Sequence, residues 1–167
     1  TLLALVKFCV ETLEEGDTPV LLGYSLGKAQ EILSALQEAG LPIMLHAAVA
    51  RVAKVYEEFG IAFPPYSQLE PTAAAGHVLI GPPSINGSRM LRSLHRPRLA
   101  AITGWAMDPG AARRFRVDVA FPLSDHADYN DLLHYVEVVC PDRVLTLHGF
   151  AQEFARVVLA LADFFAV

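Results

Sequence analysis

The stretch Pro19-Val-Leu-Leu-Gly-Tyr-Ser-Leu-Gly-Lys28 predicts the fold of this chain. Its first half is a short, continuously apolar run, which is typical of a strand buried on both faces of a sheet. Ser25 can cap a helix that continues to about Ala39, where Gly40 closes it. A buried strand, a short turn and a helix in this order favour a strand–helix–strand unit of a parallel sheet.

The same alternation continues along the chain. Further strands are predicted at residues 42–47, 77–81, 98–103, 117–121 and 144–148, and further helices at 2–14, 49–59, 88–94, 127–139 and 152–165. Residues 61–75, which contain Pro64, Pro65 and Pro71, predict a loop. Solid apolar strands alternating with helices predict an α/β fold, with a mainly parallel sheet and helices on both of its faces.

Composition excludes several classes of protein. The chain has 167 residues, of which 53% are hydrophobic and 19% are charged, which is enough to bury a core and excludes wholesale disorder. The longest apolar runs are broken by charge, Gly or Pro, so no membrane span is expected, and residues 1–15 lack the features of a signal peptide. Cys9 and Cys140 have no motif spacing, which indicates reduced core thiols in a cytoplasmic protein.

The charge is unevenly distributed. The net charge is −5, but seven arginines lie between residues 89 and 116 with only Asp108 opposing them, which gives this segment a local charge of +6. These arginines are Arg89, Arg92, Arg96, Arg98, Arg113, Arg114 and Arg116. An acidic body with one basic segment favours local binding of an anionic ligand. A solvated helix face followed by a loop explains the same residues without a ligand.

Ligands of parallel sheets bind beyond the carboxyl ends of the strands. The residues just after the predicted strands are therefore the candidate site residues: Ser25 to Lys28, His46, Gly104, Trp105, Ser124 to Asp128, and His148. The turn containing Ser25, Gly27 and Lys28 could hold a phosphate through backbone N–H groups, with Lys28 adding charge. It is not a P-loop, because GxxxxGK[ST] is absent, and an ordinary strand–helix turn is the alternative. His46 is expected to be a satisfied core histidine.

Two segments contain candidate catalytic or metal-binding histidines. In Ser124-Asp-His-Ala-Asp128, His126 opens a helix, where unpaired backbone N–H groups attract phosphate, and Asp125 or Asp128 could orient the imidazole for acid–base work. A simple helix start capped by Ser124 is the alternative. His148 ends a predicted strand before Gly149 and could bind a metal. No HxH, HExxH or CxxC accompanies it, so this chain alone cannot assemble a complete zinc site.

Five segments in order resemble the β-CASP branch of the metallo-β-lactamase superfamily. They are Tyr24-Ser-Leu-Gly-Lys-Ala-Gln-Glu31; Pro42-Ile43 with His46 and then Val52 to Tyr56; Thr103-Gly-Trp105; Ser124-Asp-His-Ala-Asp128, similar to motif B; and Leu147-His-Gly149, similar to motif C. The resemblance covers residues 5–155 and is greatest to the bacterial ligase-associated DNA exonucleases, with RNA 3′-end processing nucleases second. It implies a β-CASP domain over residues 1–110 and a segment at 111–167 that rejoins the metallo-β-lactamase half.

The resemblance also implies a function. Members of that family are phosphodiesterases with two zinc ions, in which His148 would be a zinc ligand and His126 the proton donor to the leaving oxygen, beside Asp125. The residues themselves, through the turn after the first strand, the helix start at Ser124 and the local positive charge, give Ser25, Gly27, Lys28, Ser124, Arg113 and Arg114 as the expected contacts to single-stranded or end-bearing DNA, with RNA the second choice. The family's HxHxDH motif has no counterpart here.

The hypothesis from sequence is therefore the C-terminal part of a cytoplasmic zinc-dependent nuclease, inactive without its N-terminal half. The alternative is a free-standing α/β module that binds nucleic acid or protein without catalysis. Apolar surface left uncovered by the missing half would favour self-association.

Overall fold

The computed structural model describes residues 2–124 and 126–165, with side chains described as far as residue 160. Its helices are α1 (Leu2–Glu14), α2 (Lys28–Ala35), α3 (Ala47–Glu58), α4 (Arg89–Arg92), α5 (Ala111–Phe115), α6 (Tyr129–Val139) and α7 (Ala151–Phe165). Its strands are β1 (Thr18–Leu22), β2 (Ile43–Leu45), β3 (Tyr66–Gln68), β4 (Val78–Gly81), β5 (Pro97–Ile102) and β6 (Val119–Phe121). Short 3₁₀ turns lie at Gln37–Ala39, Pro71–Ala73, Pro83–Ile85 and Gly104–Met107.

The six strands form one sheet in the order β3-β2-β4-β1-β5-β6, and every described pair is parallel. The predicted α/β class with a parallel sheet is confirmed. Strand β3 was missed, because Tyr66–Gln68 lies in the proline-rich segment predicted to be a loop. Its residues are polar or half-exposed, as suits an edge strand, so no continuous apolar run indicates it.

Side chains alternate between the two faces of the sheet and form two apolar clusters. Leu21 of β1 packs in the first cluster, with residues of α1, α2 and α3. Val20 and Leu22 point the other way, into a second cluster that includes Leu91 of α4. Helices therefore cover both faces, which explains why the central strands β2 and β4 are apolar throughout instead of alternating with polar residues.

The predicted strand at 144–148 is wrong. Residues 141–147 have no regular secondary structure, and His148 takes a left-handed conformation with φ of 63°. Leu145 and Leu147 are exposed, whereas Val144 and Thr146 are partly buried. An apolar run of this length becomes a strand only when a neighbouring strand accepts its backbone hydrogen bonds, and none of the described strands pairs with it.

The chain divides into two compact units, residues 1–125 and 126–167. Residues 111–121, assigned to the second segment from sequence, contain β6, which pairs with β5 in the first unit. In the second unit Tyr129 of α6 meets Phe154 of α7 edge-on, with ring centres 5.7 Å apart. Helix α6 exposes several apolar side chains, namely Leu132, Tyr135, Val138 and Val139. Self-association through such surface stays a prediction.

Local caps place the starts of α2 and α6 later than the sequence suggested. Helix α2 begins at Lys28 after Gly27, whose φ of 77° lies in the left-handed region that glycine tolerates. Helix α6 begins at Tyr129, and Asp128, not Ser124, caps it through a reciprocal pair of hydrogen bonds with Asp131. Within the described residues no helix combines the length and apolarity needed to cross a bilayer.

The first cluster makes a stability prediction. Replacing Leu33, whose side chain is 0% exposed, by alanine leaves a cavity and should lower the free energy of unfolding by about 2–5 kcal/mol. The same change at Leu3, which is 87% exposed on α1, should alter it by less than about 0.5 kcal/mol. Urea unfolding of the two variants measures the difference, and equal losses would contradict the assignment of the core.

The two cysteines differ, contrary to the expectation that both are core thiols. Cys9 is buried in the first cluster, and burial raises the pKa of its thiol to about 12. Cys140 is exposed at the C-terminal end of α6. The apolar residues that precede it in sequence suggested burial instead. At pH 8 one thiol per native chain should therefore react with a disulfide reagent, and Cys140→Ser should abolish that reaction. Rapid modification of Cys9 before unfolding would contradict this prediction.

Candidate nucleic-acid interface

The strand order predicts a crevice where the connections of the sheet diverge. From β1 the chain proceeds to β2 on one side of the sheet, and from β5 it proceeds to β6 on the other side. Strands β1 and β5 are neighbours, with Leu22 opposite Ala101. Connections that leave adjacent strands in opposite directions open a crevice beyond their carboxyl ends, which is where α/β proteins bind ligands. The residues after Leu22 and after Ile102 line it.

Several hydrogen bonds fix the turn after β1. The backbone N–H of Ala29 donates to the carbonyl of Tyr24 at 3.0 Å, and the side-chain amide of the buried Gln30 donates to the carbonyl of Ser25 at 3.1 Å. The tight turn at Gly27 then leads into α2. The ring of Tyr24 is 67% exposed at this turn, so a rigid backbone presents an aromatic side chain to solvent.

Lys28, which the sequence analysis named as a source of charge for a bound phosphate, is buried. Its side chain is only 3% exposed, and its Nζ is 3.7 Å from a carboxylate oxygen of Glu31. The aliphatic part packs beside Gly23, where a Cβ would lie 3.0 Å from the Cγ of Lys28. The structure thus places this lysine inside the fold and not at the surface of the crevice, while Ser25 and Gly27 are partly exposed.

The turn after β5 is equally constrained. The N–H of Thr103 donates to the carbonyl of Phe121 at 3.1 Å, and the Thr103 hydroxyl oxygen accepts from the N–H of Trp105 at 3.3 Å. Ser124 lies against Gly104 so closely that an added Cβ would be 3.3 Å from its Oγ. Trp105 follows this turn and is 66% exposed.

Arg114 stacks on this tryptophan. Its guanidinium carbon is 5.3 Å from the centre of the Trp105 ring and 5.8 Å from that of Phe115, which is the geometry of a cation–π contact. Sequence reasoning named Trp105 and Arg114 separately but did not connect them, and it missed Tyr24. The sequence did contain a signal for this pair, because Tyr24 and Trp105 each lie within three positions of the end of a predicted strand.

Two of the seven arginines lie at the opposite edge of the sheet. The Nε of Arg96 is 2.8 Å from Asp17, and Arg98 is 2.9 Å from Glu15. These residues flank the amino ends of β1 and β5, where the Thr18 N–H also donates to the carbonyl of Arg96. Acidic residues that are distant in sequence thus neutralise part of the basic segment, and a count along the chain cannot show this.

The other five arginines are exposed and belong to two connected segments. Asn86, just before α4, donates its side-chain amide to the carbonyls of Phe115 and Arg116 at 2.9 and 3.3 Å. Leu91 of α4 and Val117 after α5 pack in the same apolar cluster. The two segments therefore lie on one face of the sheet, and together they carry Arg89, Arg92, Arg113, Arg114 and Arg116.

The candidate catalytic histidines lie in the second unit. His126 precedes α6 and is exposed, and His148 is exposed in the irregular segment before α7. The expectation that both emerge from one sheet edge fails, because residues 144–148 form no strand. Asp125 lies outside the described residues. His46 is partly buried and caps α3, its Nδ1 accepting from the N–H of Ala48 at 3.2 Å.

Zinc does not fit the described residues. Across residues 2–124 and 126–165, no group of three or more His, Cys, Asp or Glu side chains is arranged to hold a metal ion. A zinc site in a protein needs three or four such ligands, and His148 supplies one. The described residues therefore supply only part of the ligand set that the resemblance implies for a two-zinc centre.

Comparison with known proteins gives one informative match. No protein-family model matches the chain. A protein from Opitutus terrae named "Probable DNA ligase" is 56% identical over 152 residues, which cover 91% of this chain and 15% of that protein's length. The chain therefore spans about one seventh of the relative that it matches.

This match corrects the predicted function. The hypothesis from sequence was a zinc-dependent nuclease, which breaks phosphodiester bonds, whereas the relative is named as a ligase, which forms them. The exonuclease and hydrolase assignments are therefore wrong for this chain, and the roles given to His126, Asp125 and His148 lose the reaction that motivated them. Short motifs at strand ends can be shared by proteins with different activities, because they also serve the fold.

The described residues group no further metal ligands around His148, which predicts weak zinc binding. The isolated chain should retain less than stoichiometric zinc after dialysis, because one imidazole at His148 binds this metal only weakly. Elemental analysis of the unmodified chain and of His148→Ala should give the same low content. Stoichiometric zinc that is lost on His148→Ala would show that the chain completes a site.

Proposed function

We propose that this chain is a DNA-contacting α/β domain of a larger DNA-joining enzyme. In this role the domain holds DNA through its exposed arginines, and the phosphoryl-transfer chemistry belongs to other parts of the enzyme. The proposal takes the reaction class from the relative named as a DNA ligase and the contact surface from the structure.

One observation carries the proposal: five exposed arginines gather on one face of a chain whose net charge is −5. Arg113 and Arg114 form the last turn of α5, and Arg116 follows it in a left-handed conformation. The nearby Asp108 is engaged in the local turn, where its carboxylate accepts from the N–H of Gly110 at 2.8 Å. Guanidinium groups in such a cluster suit the phosphates of a DNA backbone.

The resemblance to the β-CASP branch bears on the origin of the first unit. We propose that the first unit derives from that branch and serves here beside a joining activity. The α/β sheet and the quoted segments support this relation, while the match to a protein named as a ligase supports the change of role.

Salt dependence tests the proposed role. If five arginines contact duplex phosphates, the logarithm of the association constant should fall with the logarithm of salt concentration with a slope of about −4.5. Changing Arg113 and Arg114 together to alanine should make that slope shallower by about two and weaken binding alike for all duplex sequences. Fluorescence anisotropy of a labelled duplex at several salt concentrations measures both effects.

The matched control removes two charges from the other face. Arg51 and Lys54 are exposed on α3, whose residues pack in the first cluster. Changing both to alanine alters the net charge equally but should leave the slope unchanged. Equal effects of the two double variants, or no binding at low salt, would reject the arginine face as the DNA contact.

A further inference from the structure

We infer that Tyr24 and Trp105 form a platform on which unpaired bases of single-stranded DNA stack. This inference rests on the proposed function and deepens it, since it names the form of DNA that the crevice recognises. The arginine face explains contact with phosphates, which every DNA has, whereas the two rings provide a contact that depends on bases.

The topology brings the two turns that carry these rings to the same edge of the sheet. Tyr24 lies two residues beyond the end of β1, and Trp105 lies three residues beyond the end of β5. These strands are hydrogen-bonded neighbours in parallel register, so their backbones are about 4.8 Å apart. Both aromatic side chains therefore leave the sheet at the same edge, on either side of the crevice.

Neither ring is used by the core. Both are about two-thirds exposed, although aromatic side chains of this size normally bury most of their surface. Leu26 and Met107, in the same two turns, are also exposed, which gives the crevice apolar flanks. Because hydrogen bonds hold both turns, the rings are presented by ordered backbone and a bound base would not have to organise it.

Charge identifies the occupant as a nucleic acid. Arg114 lies over Trp105 and belongs to the arginine cluster, so a cation for the phosphate adjoins the ring for the base. Aromatic platforms beside cationic grooves are how single-stranded nucleic acids are bound without sequence preference. Paired bases present only their edges in the grooves, so the platform should distinguish single strands from duplexes.

The experiment uses the chain's single tryptophan as its probe. A single-stranded oligonucleotide of fifteen thymidine nucleotides should quench the tryptophan fluorescence of the unmodified chain, because a base stacks on Trp105. An oligonucleotide of the same length built of abasic sites has the same phosphates and should bind more weakly, with little quenching. Equal affinity and equal quenching with both would overturn the inference without mutation of any residue.

Variants separate the stacking contact from the phosphate contact. Trp105→Leu and Tyr24→Leu should each weaken binding of the thymidine oligonucleotide by about 5- to 100-fold, whereas Tyr24→Phe should retain it. Tyr24→Leu should leave binding of the abasic oligonucleotide and of a blunt duplex unchanged, whereas Trp105→Leu, which also releases Arg114, should weaken both by less than it weakens the thymidine oligonucleotide. Tyr135→Leu, at an exposed aromatic position on α6, is the matched control and should change nothing.

The outcomes of the two proposals differ. If the unmodified chain does not bind a DNA duplex at low salt, the proposed function itself is rejected. Salt-sensitive duplex binding with no dependence on bases would reject only the stacking platform, as would losses in the leucine variants that are equal for thymidine and abasic oligonucleotides. Urea unfolding midpoints of all variants show whether each is folded.

Discussion

The parallel pairing of β1 with β4 on one side and β5 on the other determines the arrangement of the first unit. Strand β1 is buried along its whole length, so its backbone groups must be satisfied by these two neighbours. The pairing also decides where the chain diverges, since β1 and β5 lead to opposite sides of the sheet. A crevice and its two turns follow from this one constraint, before any side chain in them is considered.

The same sheet separates two populations of arginine. At the amino ends of β1 and β5, Arg96 and Arg98 are held by Asp17 and Glu15, and Asp17 itself is buried. There the charges stabilise strand starts. On the face covered by α4 and α5, the arginines have no such acidic cluster in the described contacts and remain exposed. One basic run in the sequence thus serves two purposes, which only the three-dimensional arrangement separates.

Periodicity predicted the fold well where side chains are buried on both sides. The runs at β1, β2, β4 and β5 are solidly apolar, so the sequence reveals them, and helices of the length of α1 and α3 show their buried stripe. It failed at β3, whose edge position needs no apolar run, and at residues 144–148, where apolar residues have no partner strand. The burial of Lys28 could not be read from sequence for a related reason, because a long side chain can be buried along its stem, and its sequence neighbours do not show this.

The sequence could predict where the candidate interface lies, but not which of its side chains contact one another. The rule that ligands lie beyond strand ends led to Ser25, Gly27, Trp105 and Ser124, and the structure places all of them after the strands named. The contact of Arg114 with Trp105 depends on how α5 folds back after β5, which no spacing encodes. The α/β architecture followed from the alternation of apolar strands and helices, whereas the reaction inferred from motif resemblance was wrong, since one fold can host many functions.

The contact between Arg114 and Trp105 has a thermodynamic consequence. A free arginine side chain loses up to about 2 kcal/mol of rotational entropy when it is immobilised. Here the guanidinium already rests on an indole ring, so much of that entropy is lost when the protein folds and not when a phosphate arrives. An anion would therefore meet a cation whose orientation is largely set, and the entropic penalty of association would be smaller than for the other arginines of the cluster.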